Sequence, residues 1–300
     1  MAIATVGLLS PGDMGHSIGG VLRANGLRVL THLGGRSERT RVLAHKAGID
    51  DTPSLEALVR EADVLLGVLV PSRASEMAQA VAAAIEATGA DLLYVDCNAI
   101  APQTVRQIGE TIAAAGGRFA DVGIIGPPPR DGGATRFYAS GPGAAEFAAL
   151  GDYWLDVRVI GDQIGQASGL KMCYAALTKG LTALGTELLL AARLLGIEDV
   201  LRAEQRESNP VVLAALERSV PSMPPKAHRW VGEMEEIAAC FADLGLTPNI
   251  LLGAADVYHL VADTAIGRES PETRDPGRDL DGVIAALARA LASPATAASF

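Results

Sequence analysis

Residues 3–15 read IATVGLLSPGDMG, an apolar run that ends in a glycine-containing turn. The run Ile3–Leu9 is apolar at nearly every position, which is typical of a strand covered on both faces of a sheet. After Gly12 the apolar residues recur at the spacing of one helix face, and they are Met14, Ile18, Val21 and Leu22. The stretch therefore predicts a strand, a tight turn and a helix in succession.

The turn between this strand and helix matches the pattern G-x-G-x-x-G, with Ser10 in place of the first glycine. In a strand-turn-helix context that pattern is typical of dinucleotide binding. Gly12 would let the backbone approach a pyrophosphate, and Gly15 would let the helix pack closely against the sheet. The helix N-terminus would add free N–H groups and a favourable dipole. We expect cofactor contacts from the whole turn, namely Ser10, Pro11, Gly12, Asp13, Met14 and Gly15; the alternative is an ordinary turn without a ligand.

The segment after the second apolar run indicates which dinucleotide would bind. In NAD-binding proteins an acidic residue about 20 positions further on bonds the ribose 2′-hydroxyl. Residues 32–39 read HLGGRSER, which places Arg36 and Ser37 in that region instead. A guanidinium matches the geometry of a 2′-phosphate, so NADP(H) is favoured over NAD(H). In the alternative, Arg36 and Arg39 belong to a solvated turn.

Further apolar runs alternate with helical patterns through the first half of the chain. The runs predicted as strands are 27–33, 64–70, 92–96 and 118–122. Between two of them, apolar residues recur at helical spacing, as Met77, Val81 and Ile85 show. Alternating strands and helices predict an α/β fold with an N-terminal, Rossmann-like, doubly wound parallel sheet. Such sheets bind ligands at the carboxyl ends of their strands.

The pattern becomes helical from about Gly165, and no convincing strand follows. The stretch 166–195 contains no proline and predicts one long helix. Further helical patterns cover 225–244, 248–265 and 280–291. We therefore predict two domains connected by the long helix. Residues 1–162 would form an NADP-binding Rossmann domain, and residues 163–300 an all-α domain for substrate binding and dimerisation.

The composition excludes several classes of protein. The 300 residues are 49% hydrophobic and 20% charged, which is too apolar for a disordered chain. A net charge of −10 without a Lys/Arg run argues against nucleic-acid binding. The apolar stretches fall short of the roughly 18 residues of a membrane span, and the N-terminus lacks a signal-peptide pattern, so we expect a cytoplasmic protein. The three cysteines and five histidines show no metal-ligand spacing.

Three later segments carry motifs of one known family. Residues 94–102 read YVDCNAIAP and match its D-x-S/N-(T/S)-x-x-P segment, while residues 121–127 read DVGIIGP and match its D-A-P-V-S-G-G loop. Residues 165–175 read GQASGLKMCYA and align on the lysine of G-x-x-x-K-x-x-N-N. With the N-terminal turn, these segments resemble the β-hydroxyacid dehydrogenase family, which includes 3-hydroxyisobutyrate and 6-phosphogluconate dehydrogenases and, as a divergent branch, imine reductases. The resemblance covers nearly the whole chain.

The resemblance implies roles for residues at matching positions. Leu69 and Val70 would lie along the cofactor. Asn98 and Gly126 would bind substrate, and Lys171 would be the catalytic lysine. Positions that depart from the family pattern include Ile125, Pro127, Tyr174 and Ala175. The resemblance therefore implies an atypical branch with a divergent C-terminal helical domain, and a homodimer whose helical domains interlock.

Hydride transfer to or from an alcohol carbon needs a group that handles the hydroxyl proton. Lys171 has apolar or small neighbours in the predicted long helix and would serve there as general acid/base. The alternative for Lys171 is a solvated surface position. Tyr174 follows about one turn later on nearly the same face, as a substrate ligand or, equally, a core tyrosine. Arg130 is a further candidate ligand for an anionic substrate, or a solvated side chain.

These residues leave three functions open. The first is an NADP-dependent oxidoreductase that acts on a small hydroxy acid or a related alcohol/carbonyl substrate. The second is an NADPH-dependent imine reductase, although that branch typically has Asp or Tyr at the lysine position. The third is a non-catalytic, NADP-binding regulatory protein.

Overall fold

The computed structural model describes residues 3–129, 135–270 and 272–292. Within them the chain forms strands β1 (Thr5–Leu8), β2 (Arg28–Thr31), β3 (Asp50–Asp51), β4 (Val64–Gly67), β5 (Leu93–Asp96), β6 (Arg118–Ile125), β7 (Arg136–Ser140) and β8 (Asp156–Gly161). These strands form one sheet in the order β3-β2-β1-β4-β5-β6-β7-β8. The chain reverses its direction of winding between β1 and β4, which is the switch point of a doubly wound sheet. The predicted α/β class is confirmed.

The helices of the described residues are α1 (Asp13–Ala24), α2 (Glu38–Lys46), α3 (Leu55–Glu61), α4 (Ala74–Thr88), α5 (Pro102–Ala114), α6 (Ala144–Phe147), α7 (Gln166–Leu194), α8 (Glu198–Ser208), α9 (Pro210–Ser222), α10 (Ala227–Asp243), α11 (Asn249–Ala262) and α12 (Leu280–Leu291). The long helix and the last three helices fall where the sequence predicts them. The helical patterns do not predict α8 and α9 as separate elements.

The sheet departs from the predicted parallel arrangement at one pair of strands. β6 and β7 are antiparallel, whereas the other neighbouring strands of the described residues are parallel. The segment 126–135 between them is too short for the crossover connection that a parallel pair needs. β3, β7 and β8 also lie outside the predicted strands. β8 is mostly exposed and has no apolar run to reveal it.

Two apolar layers cover the sheet, one on each face. The side chains of β5 show the division, because Leu93 and Val95 belong to one layer and Tyr94 to the other. α1 packs in the first layer, and α4 and α5 pack in the second. Strands covered on both faces need apolar residues at successive positions, which explains the runs in the sequence.

The chain divides into two compact units, residues 1–172 and 173–300. The first contains the sheet, its helices and the start of α7. The second contains the rest of α7 with α8–α12, and the rings of Trp230 and Tyr258 meet edge to face there at 5.2 Å. The domain boundary at residue 162 stays a prediction. Among the described helices, none has the length and apolar character that crossing a membrane requires.

Candidate functional site

The turn between β1 and α1 contains two glycines whose surroundings differ. A Cβ on Gly15 would overlap the carbonyl oxygen of Ser10, so packing of the turn requires glycine there. A Cβ on Gly12 would meet nothing within 4 Å, and its φ of −74° suits any residue. Gly12 is the residue before the first turn of α1, whose N–H groups lack helical partners. Open space in front of those donors fits a phosphate group.

The remaining residues of this turn support its shape. Pro11 is buried, Ser10 is half-buried, and Met14 packs against the apolar layer below. Asp13 begins α1 and forms an ion pair with Arg39, at 2.5 Å between carboxylate and guanidinium. Packing and this ion pair therefore hold the turn that is predicted to bind the cofactor. Arg39 takes part as the ion-pair partner of Asp13, from α2.

Arg36 is fixed beside the end of β1. Its Nη2 donates to the carbonyl oxygen of Leu9 at 2.7 Å. Burial lowers the pKa of the Arg36 guanidinium, and the positive charge of Arg73 lowers it further. Arg73 is therefore close enough to Arg36 for the two positive charges to interact. Ser37 caps α2, because its Oγ accepts from the Thr40 N–H at 3.3 Å.

Arg73 is a functional candidate that the sequence does not reveal. It follows β4, and β4 and β2 flank β1 on either side. The residues that follow three parallel neighbouring strands lie at the same edge of the sheet. Two bonds of 3.0 Å to the carboxylate of Glu76 hold the guanidinium of Arg73 at the start of α4. In the sequence, the one indication of this role is the position of Arg73 shortly after an apolar strand.

Asn98 connects β5 to the loop after β4. Its Oδ1 accepts from the Leu69 N–H at 2.5 Å, and its Nδ2 donates to Oδ2 of Asp96 at 2.9 Å. The side chain of Asn98 is buried, whereas Val70 is 45% exposed at the end of the loop. Asn98 thus fixes the segment Leu69–Val70 that is expected to border the cofactor. Contact of Asn98 with a substrate stays a prediction.

A buried carboxylate anchors the start of α7. Oδ2 of Asp121 accepts from the N–H of Gly165 at 2.9 Å, the N–H of Ser168 at 3.1 Å and Oγ of Ser140 at 3.1 Å. Its Oδ1 accepts from Oγ of Ser168 at 2.6 Å. Hydrogen bonds and the positive end of the helix dipole both favour a carboxylate at this place. The family motif contains Asp121, but the sequence does not reveal its partners.

Lys171 lies one turn after Ser168 and is bound to β6. Its Nζ donates to the carbonyl oxygen of Ile124 at 2.5 Å. A Cβ on Gly123 would come within 3.1 Å of the Lys171 Cβ and 2.6 Å of the Ala167 oxygen, so glycine lets α7 approach the strand. Lys171 is half-buried, which disagrees with a freely solvated lysine.

The end of β6 completes this edge of the sheet. Gly126 follows β6 with a φ of +130°, which favours glycine there. Ile125 is buried beside it. Because β5 and β6 are parallel, Gly126 and the Lys171 anchor lie at the same edge as Asn98. The first unit therefore has Lys171, Asn98, Gly126 and the glycine turn at one edge of its sheet.

Two further candidates have a different standing. Tyr174 lies in the second unit and is 45% exposed, so it is not a core tyrosine. Its contact with a substrate stays a prediction. Arg130 lies outside the described residues. In the part of the chain that the structure describes, no group of three or more His, Cys, Asp or Glu could hold a metal ion.

Comparison with known proteins assigns most of the chain to two families of sequence. Residues 2–153 match the family model described as the NAD binding domain of 6-phosphogluconate dehydrogenase. Residues 192–261 match a domain of unknown function, DUF1932. An uncharacterised 28.5 kDa protein in the 7S RNA 5′ region of Methanothermus fervidus is 30% identical over 175 residues, which are 58% of this chain and 66% of that protein. The match thus spans about two thirds of the relative's length.

Two solved structures share the fold along most of the chain. A conserved protein of unknown function, described as structurally similar to 3-hydroxyacid dehydrogenases, is 31% identical with a TM-score of 0.65 and covers 86% of this chain and 97% of its own. The 3-hydroxyisobutyrate dehydrogenase of Salmonella typhimurium is 17% identical with a TM-score of 0.69, covering 94% and 99%. At that identity the second likeness shows the fold alone.

Substitution by alanine should have different effects at the two glycines of the turn. Gly12→Ala should weaken binding of a nicotinamide dinucleotide by about tenfold or more, because its Cβ enters the space for the phosphates, and should leave stability unchanged. Gly15→Ala should lower the free energy of unfolding by about 1–3 kcal/mol, because the turn must shift. Urea denaturation and NADPH fluorescence titration measure the two effects. Equal losses of stability in both variants would contradict this division of roles.

Proposed function

Because the chain belongs to the β-hydroxyacid dehydrogenase family, through the model of the NAD binding domain of 6-phosphogluconate dehydrogenase, we propose that it transfers hydride between NADP(H) and a small hydroxy acid or a related alcohol/carbonyl substrate. The broader class is an NAD(P)-dependent dehydrogenase or reductase that acts on CH–OH groups. The observation that carries the proposal is the anchoring of Lys171 to β6, at the sheet edge that also carries the glycine turn.

The residues of the first unit fit a nicotinamide dinucleotide. The open space before α1 suits the pyrophosphate, as the lack of any contact for a Cβ on Gly12 indicates. Arg36 and Arg73 would suit a 2′-phosphate, because the charge of Arg73 acts on Arg36 and a guanidinium matches the geometry of a phosphate. Arg73 would then exchange its exposed ion pair with Glu76 for the phosphate. Leu69 and Val70 follow β4 and would border the ribose and nicotinamide. When bound, the nicotinamide supplies the hydride acceptor or donor.

Lys171 is the proposed general acid/base. Its ammonium would stabilise the developing alkoxide of the substrate, and Nζ would return the proton to that oxygen in the reducing direction. The bond from Nζ to the Ile124 carbonyl fixes the direction of the side chain. Anchoring by Asp121 one turn earlier fixes the backbone of the same helix. Such pre-orientation spares the lysine an ordering cost during the reaction.

An imine reductase is the second candidate for this site. Buried, apolar Ile125 and the absence of the paired asparagines at Tyr174 and Ala175 favour it. Lys171 opposes it, since that branch typically has Asp or Tyr there. Incubation with NADPH and a panel of 3-hydroxy acids, their carbonyl partners and cyclic imines separates the candidates. NADPH binding without turnover of any of them would favour the regulatory alternative.

Lys171→Ala tests the proposed chemistry. We expect kcat/KM for the hydroxy acid to fall about 10²–10⁴-fold, the usual contribution of a general acid/base, while the dissociation constant for NADPH changes less than about twofold. Lys46→Ala is the matched control, because Lys46 is exposed at the end of α2. Stopped-flow hydride transfer and NADPH titration give the two values. Imine reduction that survives Lys171→Ala would instead support the second candidate.

Arg36→Ala and Arg73→Ala test the cofactor preference. Each should weaken NADPH about tenfold or more, because a guanidinium facing the 2′-phosphate is lost, and should change NADH binding much less. Arg60→Ala, at an exposed position of α3, controls for the general loss of positive charge. Equal weakening of NADPH and NADH would remove the argument for NADP(H).

We also propose that the protein is a homodimer in which α7 pairs with its copy. Apolar residues follow one exposed or half-exposed line of α7 at alternating spacings of four and three, and they are Leu177, Leu181, Leu184, Leu188 and Ala191. This heptad spacing is typical of a helix–helix seam. The side chains of Leu177 and Leu184 are 68% and 58% exposed, and apolar side chains in a continuous line favour a partner.

Charges on that line should separate the dimer. The double variant Leu177→Glu and Leu184→Glu is expected to shift the protein to the monomer in sedimentation velocity, because each protomer would bury two carboxylates in the seam. Val42→Glu is the control, at an exposed apolar position of α2. A monomeric wild-type protein, or a double variant that stays dimeric, would contradict the proposed interface.

A further inference from the structure

We propose that Asp96 is a positioning residue for the cofactor, acting through Asn98 on the backbone of the loop after β4. The inference rests on the proposed function, since the loop matters only if a cofactor lies along it. Asp96 is the last residue of β5 and is 1% exposed. Its Oδ1 accepts from the N–H of Asn98 at 2.9 Å, and its Oδ2 accepts from Nδ2 of Asn98 at 2.9 Å.

These bonds determine which way the Asn98 amide points. An asparagine side chain has a donor end and an acceptor end, and the two are nearly equal in shape. When ionised, the carboxylate of Asp96 accepts only, so it takes the Nδ2 end. Oδ1 is thereby directed to the Leu69 N–H, at 2.5 Å. The reversed amide would present a donor to that N–H and leave both groups unsatisfied at a buried site.

The groups around Asp96 show why its charge state matters. Asp121 of β6 lies directly opposite it in the strand register, while Gly67 of β4, on the other side, has no side chain. Burial raises the pKa of Tyr94 and of Cys97, the titratable neighbours in and next to β5, so both are neutral. Burial also raises the pKa of Asp96 to about 7, a rise that the Asn98 bonds oppose and the charge of Asp121 assists.

The two carboxylates differ in their donors. Asp121 accepts from three N–H or O–H groups of Gly165 and Ser168 and from Ser140, which suits an ionised group. Lys171 is the first charged residue of α7, and its ammonium donates to the backbone carbonyl of Ile124. With its pKa raised to about 7, Asp96 gains or loses a proton near neutral pH. Ionised Asp96 is the stronger acceptor, so Asn98 and the loop are held more firmly as the pH rises through about 7.

Asp96→Asn tests this role by cofactor binding. We expect the dissociation constant for NADH to rise about fivefold at pH 8 and to lose the decrease that wild type shows between pH 6 and pH 8. NADH is used because it has no 2′-phosphate to titrate. The maximal rate should fall less than the affinity for cofactor. Asp91→Asn is the matched control, since Asp91 is an exposed carboxylate just before the same strand, paired with Arg118.

A double-mutant cycle separates positioning from a general structural effect. If Asp96 acts through Asn98, Asp96→Asn should have no further effect on NADH affinity in the Asn98→Ala background. Should Asp96→Asn fail to fold, Asn98→Ala alone should raise the dissociation constant for NADH by at least as much and remove its pH dependence. Unchanged NADH affinity and pH dependence in Asp96→Asn, or additive effects in the cycle, would overturn the inference alone. Failure of wild type to bind either nicotinamide dinucleotide would overturn the proposed function as well.

Discussion

The buried carboxylate of Asp121 is the interaction on which the candidate site depends. An ionised group removed from water is costly unless hydrogen bonds replace its hydration. Here the replacement comes from Ser140 in β7 and from Gly165 and Ser168 at the start of α7. One side chain of β6 thus joins a neighbouring strand to the long helix. The helix begins at a fixed point, and Lys171 follows one turn later with its ammonium on the Ile124 carbonyl.

Close backbone approach sets the geometry at both ends of the site. At the dinucleotide end, Gly15 lets the Ser10 carbonyl lie against α1. At the end that contains Lys171, Gly123 lets the Ala167 carbonyl lie against β6. Neither position tolerates a Cβ without movement of main chain, whereas Gly12 does. Close packing within the chain therefore requires glycine at Gly15 and Gly123, whereas the open space beside Gly12 is the proposed place of the cofactor phosphates.

The sequence predicts the parts of this arrangement that depend on local pattern. Apolar runs indicate β1, β2, β4, β5 and the start of β6, because strands covered on both faces have no polar alternation. β8 escapes prediction because it is largely exposed, and the antiparallel β7 depends on a short connection that no periodicity reports. Motif spacing indicates Gly12, Arg36 and Lys171. The partners of Asp121 are 19 to 47 residues away in the chain, so only the fold reveals that it anchors α7.

Charge is distributed unevenly within an acidic chain. The net charge of −10 opposes a phosphate-rich cofactor at long range. Because salt screens this long-range repulsion, nearby charged groups decide whether a phosphate binds. At the sheet edge those groups are the guanidiniums of Arg36 and Arg73 and the ammonium of Lys171.

The neighbouring carboxylates of Asp96 and Asp121 would cancel part of this positive field if both were ionised. Burial raises the pKa of Asp96 to about 7, so the charge of Asp96 varies near neutral pH. Protonation of Asp96 thus has two opposed consequences: it lowers the negative charge near the phosphates and weakens the hold on the loop. The Leu69 N–H bonds directly to Asn98, so the proposed role of Asp96 predicts that the effect on the loop outweighs the effect of its charge and that NADH binds more tightly as Asp96 ionises.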